Sequence, residues 1–301
     1  MKNNIKQLLY KTILYPLPDR FRYRMAHKRM HKRFGKHVYK LNLKNPKTFN
    51  EKIQYIKLFE RSNLRKMFAS RIESRSYIAS ETDEKYLIPV IGIYDELTEK
   101  DWANLPSRFV LKANHGCGMV KIIQNKSEHD FEYIHQTVKK WQRTDYYKIG
   151  REWVYKNLPR SLVAEKLLLN ENGEIPQDYK FFCFNGIVEV IQVDFGRFSD
   201  QKRNLYDRDF NLLPARIIYD NYSGNVSRPD NLDKAIEISE KLSAGVSFLR
   251  VDLYLPGEEV YVGELTNYPG NGFAKIIPPS FDRALGEKLH LVPDSQNKTS
   301  E

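Results

Sequence analysis

The chain has 301 residues, 41% hydrophobic and 13% aromatic, which supplies ample core material and excludes an intrinsically disordered polymer. One large domain or two packed ones fold at this length without staples, and two cysteines, Cys117 and Cys183, exclude a disulfide scaffold. The net charge of +11 is uneven: residues 1–47 hold fourteen Lys and Arg against one acid, Asp19, so the rest of the chain sums to −2.

Ile5, Leu8, Leu9 and Ile13 recur at helical spacing, so residues 2–14 read as a short basic amphipathic helix. The stretch is too broken by Lys6, Lys11 and Pro16 for a signal peptide, and no apolar run reaches the roughly 20 residues of a membrane span. A reducing cytoplasm is the expected setting. A second basic stretch, RFRYRMAHKRMHKRFGK, follows Pro16 and Pro18. This arm suits the anionic inner face of a membrane, through residues 1–40, or a helix pair packed on the body. Nucleic acid is not an expected partner, because stacking platforms and recognised nucleic-acid motifs are missing.

Thr48 and Glu51 have capping-box spacing, and Phe49, Ile53, Ile56 and Phe59 continue a stripe, predicting a helix over 48–60 and a second over 63–80. YLIPVIGIYD (86–95) reads as a strand, with Pro89 pointing to a sheet edge. Strands are then expected at 109–114, 119–124, 161–169, 179–184 and 187–195, with a helix at 129–142 and a two-residue hairpin turn at Asn185-Gly186. Pro229 and Asp230 open a helix to Leu242. SFLRVDLYL and VYVGELT form a last hairpin around Pro256-Gly257, and 292–301 is a polar tail.

The last hairpin carries the most chemistry. Alternation puts Arg250 and Asp252 on one face, and Glu264 and Thr266 share a face of the returning strand. A five-residue connection pairs Asp252 with Glu264, so one arginine and two acids make a site for Mg²⁺ and phosphate, or a solvent-facing ion pair. In FVLKANHGCGMVK, Lys112 alternates with an apolar face, and the loop around Gly116 and Gly118 can close on phosphate oxygens. Neither a Walker loop nor a GxGxxG turn is present. By themselves His115, Cys117 and Cys183 read as structural. Asp207-Arg208-Asp209 reads as a hairpin turn, with a glycosyltransferase metal site as the alternative.

Together these segments resemble the TupA-like family of the ATP-grasp superfamily, associated with surface-polysaccharide loci, over residues 45–275. The resemblance rests on KNPKTFNEKIQYIKL, YLIPVIGIYD, LPSRFVLKANHGCG, REWVYKNL, DYKFFCFNG, and RVDLY followed by GELTNYPGNG. It implies an α+β ATP-grasp fold in which two subdomains clamp ATP. The basic arm (1–47) precedes a first region (48–160) and a second (161–291). Lys112 would contact the phosphates beneath a flap of His115, Gly116 and Gly118. Glu165 and Lys166 would hold adenine, Asp178 the ribose, and Lys180 would face the phosphates. Arg71 stands where many relatives carry a lysine, and would add a cation toward the nucleotide. Asp252 and Glu264 would bind Mg²⁺, with Thr266 or Asn267 as third ligand, and Arg250 would meet the transferring phosphoryl group. The implied activity is an ATP- and Mg²⁺-dependent carboxylate–amine ligase joining a uronic acid or amino acid to an amine, the acceptor being a lipid-linked glycan in one version. A nucleotide-sugar glycosyltransferase is the alternative.

Overall fold

The computed structural model describes residues 17–34, 41–196 and 200–291. The expected helix at 2–14 and the tail at 292–301 lie outside them. Helix α1 (Asp19–Phe34) is tied to the body by its first turns: the buried Tyr23 hydroxyl donates to Arg151 O at 2.6 Å, and Arg151 Nε donates to Asp19 Oδ1 at 2.9 Å. Helix α2 (Phe49–Phe59) starts at a capping box in which Thr48 and Glu51 satisfy each other's backbone N–H, and it buries Phe49, Ile53 and Ile56.

The single helix expected at 63–80 is two, α3 (Asn63–Ala69) and α4 (Glu73–Glu81). Ser70 is extended (φ −90°, ψ 118°), and its hydroxyl donates to Asn114 Oδ1, which also accepts from Ile72 N; a tertiary contact from a distant loop ends the first helix.

Strands β1 (Val90–Tyr94), β2 (Phe109–Ala113), β3 (Val120–Ile123) and β4 (Leu162–Lys166) form an antiparallel sheet in the order β1-β4-β2-β3. Pro89 directly precedes β1, at the sheet edge as predicted. Two helices, α5 (Glu99–Asn104) and α6 (Phe131–Arg143), fall between these strands, and α6 buries Ile134 and Val138 against Phe109, Leu111 and Leu162. The predicted boundary at 160/161 needs correction. β4 hydrogen-bonds to β1 and β2 and belongs to this first sheet, so the division between the sheets falls after Lys166.

After a single turn, α7 (Tyr147–Gly150), the second sheet collects β5 (Asp178–Phe184), β6 (Ile187–Phe195), β7 (Lys202–Tyr206), β9 (Phe248–Tyr254) and β10 (Tyr261–Thr266) in the order β10-β9-β5-β6-β7. β8 (Arg216–Ile217) pairs separately with β11 (Ile276–Ile277). β5 and β6 turn at Asn185-Gly186, both at positive φ (52° and 84°), the primed-turn geometry this dipeptide favours. Helix α8 (Leu232–Ser243) buries Leu232, Ile238 and Leu242 against one face of the sheet.

The opposite face is divided along the strands. At one end Phe182, Phe184 and Phe248 pack with Phe49 of α2, ring centroids 5.2–6.0 Å apart, beside α9 (Pro279–Lys288). Full burial of each such side chain contributes about 1.5–3 kcal/mol. At the other end the same alternation presents charged residues, and these face the first sheet.

Candidate active site

A cleft of about 840 Å³ lies between the sheets. Val110, Lys112, Val120 and Ile122 line its first-sheet wall, with Cys117 and Gly118 of the glycine loop. Asp178, Lys180, Arg250, Asp252 and Glu264 line the wall formed by the second sheet. Lys166, Leu167 and Leu168, running out of β4, close one end with Ile175 and Pro176. The cleft thus joins a mainly apolar stretch to a charged chamber.

Register builds the chamber. Lys180 of β5 stands opposite Asp252 of β9, and Asp252 stands opposite Glu264 of β10, so three functional side chains share one cross-strand row. The Asp252–Glu264 pairing occurs as expected, by an unexpected route. The hairpin closes one residue out of that register, and a bulge at Gly263 restores it. A Cβ at Gly263 would sit 2.8 Å from the Tyr254 ring and 3.3 Å from Asp252 O, so a larger residue would crowd the bulge.

Each chamber cation is held by a carboxylate. Arg250 grips Asp252 with Nε at 2.7 Å and Nη2 at 2.8 Å, and Nη2 also donates to Thr266 Oγ1. Lys180 Nζ bridges Asp178 and Asp252, the latter at 3.0 Å. Across the cleft Lys112 Nζ is 2.5 Å from Glu165 Oε2, and Arg75 approaches Glu165 at 3.7 Å. Burial opposes the ammonium of Lys180, but Asp178 and Asp252 outweigh it and hold the pKa above its ordinary value. Burial likewise opposes the Asp252 carboxylate, and Arg250 with Lys180 outweighs that, keeping it below the usual range. Both groups are therefore charged at neutral pH.

Three expected site residues, Asn267, His115 and Gly116, do not line the cleft. Asn267 is buried against Arg65, accepting from Nη1 at 3.2 Å and donating to Arg65 O at 2.8 Å. Glu264 lines the cleft and Thr266 shares its strand face, accepting from Arg250 Nη2, so Asn267 one position on turns to the other face. His115 is 3% exposed, and its Nε2 lies 3.0 Å from Trp141 O at the end of α6. Burial lowers its pKa, consistent with a structural ring. Gly116 is packed against Tyr146, whose ring would meet a Cβ there at 2.9 Å. Gly118, at φ +74°, lines the cleft. Asp207-Arg208-Asp209 forms a turn closed by Asn211 N donating to Asp207 Oδ1, and none of the three lines the cleft.

Sequence reasoning missed Arg203 and Arg75. Arg203, on β7, lines the cleft and donates Nη2 to Asp194 Oδ2 at 3.1 Å. The polar segment 200–204 hides its strand, and only its place opposite Asp194 reveals it.

The two paired carboxylates fit Mg²⁺, which takes one or two protein carboxylates and completes its shell with phosphates and water. Among the described residues no group of three or more His, Cys, Asp or Glu is placed to hold a metal, so a dedicated protein cage is absent there.

A profile of the TupA-like ATP-grasp family matches residues 51–290, most of the chain. The chain belongs to this family. Its fold is the ATP-grasp α+β fold, and ATP-grasp enzymes use ATP and Mg²⁺. The chain is also similar to the D-alanine–D-alanine ligase of Bacillus anthracis solved with ATP (15% identity, TM-score 0.40, covering 67% of this chain and 54% of that one). It is similar to the D-alanine–D-alanine ligase of Helicobacter pylori (13%, 0.40, 74% and 62%) and to D-alanyl-alanine synthetase A of Vibrio cholerae O1 biovar eltor str. N16961 (10%, 0.43, 74% and 61%). It thus spans between half and two-thirds of the length of these ligases. No curated protein matches the chain significantly.

Proposed function

We propose that this TupA-like ATP-grasp protein is an ATP- and Mg²⁺-dependent carboxylate–amine ligase of surface-polysaccharide assembly. The observation that carries the reading is the single cleft in which a lysine and glycine loop on one sheet face a cross-strand carboxylate pair on the other. The adenine ring would enter the mainly apolar stretch beside Lys166–Leu168, and Asp178 would meet the ribose. Lys112, Lys180 and Arg250 would hold the phosphates and draw off charge as the γ-phosphoryl group passes to the substrate carboxylate. Mg²⁺, held by Asp252 and Glu264, would supply further neutralisation. Attack of an amine on the acylphosphate would release phosphate and leave an amide. Positioning and preorganised charge supply the catalysis, as expected for phosphoryl transfer.

The acid is, on this reading, a uronic acid or an amino acid, and the amine acceptor a lipid-linked glycan at the inner face of the membrane. The basic arm supports that setting: on the first turns of α1, Arg20, Arg24 and Lys28 are exposed and Phe21 is 51% exposed, beside residues that anchor the helix to the body. No helix among the described residues is long and apolar enough to cross a membrane.

The test is a thermal-shift titration. ATP should raise the melting temperature when Mg²⁺ is present and do little without it, because a ligand stabilises by binding the native state. Stabilisation by UDP-sugars with none from ATP would overturn the ligase reading in favour of a glycosyltransferase. ADP release across pairs of uronic acids or amino acids with amines then identifies the substrates.

A further inference from the structure

Arg71 lies in the short break between α3 and α4 and lines the cleft, and three of its five guanidinium N–H groups are taken by protein acceptors. Nη1 donates to two carbonyls of the glycine loop, Ala113 O and Gly116 O, each at 2.6 Å. Nη2 donates to Glu264 Oε1 at 3.2 Å on β10 of the other sheet. The side chain is 10% exposed and that of Glu264 33%, so the contact spans the cleft near its opening. No described residue donates to Glu264 Oε2, which leaves that oxygen for a metal.

The resemblance casts Arg71 as a cation directed at the nucleotide. Its geometry is that of a connector. A residue acting only as a phosphate ligand points its N–H groups into the cleft, whereas both hydrogens of Nη1 go to the loop backbone and one of Nη2 to a carboxylate of the opposite sheet. The break that carries Arg71 is fixed without it: Asn114 Oδ1 accepts from Ser70 Oγ and Ile72 N, and Asn114 Nδ2 donates to Pro159 O, all at 3.1 Å. Arg71 therefore extends from a rigid base, and its two ends set the spacing between loop and acid.

We infer that Arg71 is a strap: a positioning residue that fastens the glycine loop of one sheet to Glu264 of the other, so that the flap over the nucleotide and the acid that meets the metal are held in one register. This inference deepens the ligase reading and rests on it for the roles of loop and acid. The strap itself exists without ligand and can be measured without ligand.

The experiment compares backbone hydrogen exchange at Gly116–Met119 in the full, ligand-free chain for wild type, Arg71→Lys and Glu264→Ala. Lysine keeps the charge but, from one nitrogen, cannot reach two carbonyls and a carboxylate on opposite walls. Both variants should speed loop exchange by about tenfold or more, the worth of one hydrogen bond to a charged group. ATP affinity in the presence of Mg²⁺ should fall by a similar factor in Arg71→Lys, although the charge remains. Wild-type exchange in either variant, or wild-type ATP affinity in Arg71→Lys, would overturn the strap and restore a simple phosphate cation. If Arg71→Lys fails to fold, Glu264→Ala at its partly exposed position still decides. Faster exchange in both variants from a protein that binds no ATP would sink the ligase reading and leave the strap standing.

Discussion

Replacing Asp252 by Asn tests the charge architecture of the cleft. Asp252 is 4% exposed and accepts from Arg250 Nε, Arg250 Nη2 and Lys180 Nζ at 2.7, 2.8 and 3.0 Å. In the wild type Arg250 and Lys180 balance Asp178 and Asp252. The amide keeps the shape, removes one negative charge, and turns an NH₂ toward the cations, leaving a net buried positive charge. Breaking a buried pair this way costs about 3–5 kcal/mol, and the low end applies because the cleft admits water. For a chain of 301 residues about 3 kcal/mol lowers the melting temperature by about 5 °C. The fold should survive, because native stabilities run from about 5 to 15 kcal/mol.

The pH dependence carries the sign. Asp252 is held below its ordinary pKa, so its contribution is complete above the unfolded value near 3.8 and fades as pH falls through the lower folded value. The gap between wild type and variant should therefore be widest at neutral pH and close in strong acid. Differential scanning fluorimetry across pH, with and without ATP and Mg²⁺, measures both effects, and Asp252→Asn should also lose the stabilisation by ATP. A melting temperature within about 1 °C of wild type at neutral pH, with stabilisation by ATP intact, would refute the reasoning.

Asp282 makes the opposite prediction. Burial pushes its carboxyl up to about 6 although Asn50 N and Nδ2 donate to it, so its stabilisation is full below the unfolded pKa of 3.8 and is lost as pH rises through about 6. Urea denaturation should show Asp282→Asn gaining on wild type by up to about 3 kcal/mol between those values; a difference that stays flat across the window would mean the carboxyl is not perturbed. Full-length protein should sediment with anionic vesicles at low salt and be released at high salt, since screening limits the attraction to about 8–10 Å at physiological ionic strength, and a 1–40 deletion should stay in solution. Equal binding by the deletion would remove the membrane role of the arm.

The sequence by itself determined the main strands and the charged residues that line the cleft. Alternation in DYKFFCF and FLRVDLY shows which side chains share a face, because strand period is a local property of the backbone. Lys112, Arg250, Asp252 and Glu264 could therefore be placed on faces without a fold, Lys180 came from the family resemblance, and the structure brings all five together in one cleft. What lay between elements was not local. The break at Ser70 depends on Asn114, 44 residues away, and the membership of β4 depends on hydrogen bonds to β1 and β2. Asn267 left the expected metal site because Arg65, which no motif flags, claims both ends of its amide. Arg71 was legible as a cation near the nucleotide, but its three acceptors come from two different sheets. A residue's identity and period say which way it points, whereas its partners are chosen by segments distant in sequence, and packing alone brings those segments within hydrogen-bond reach.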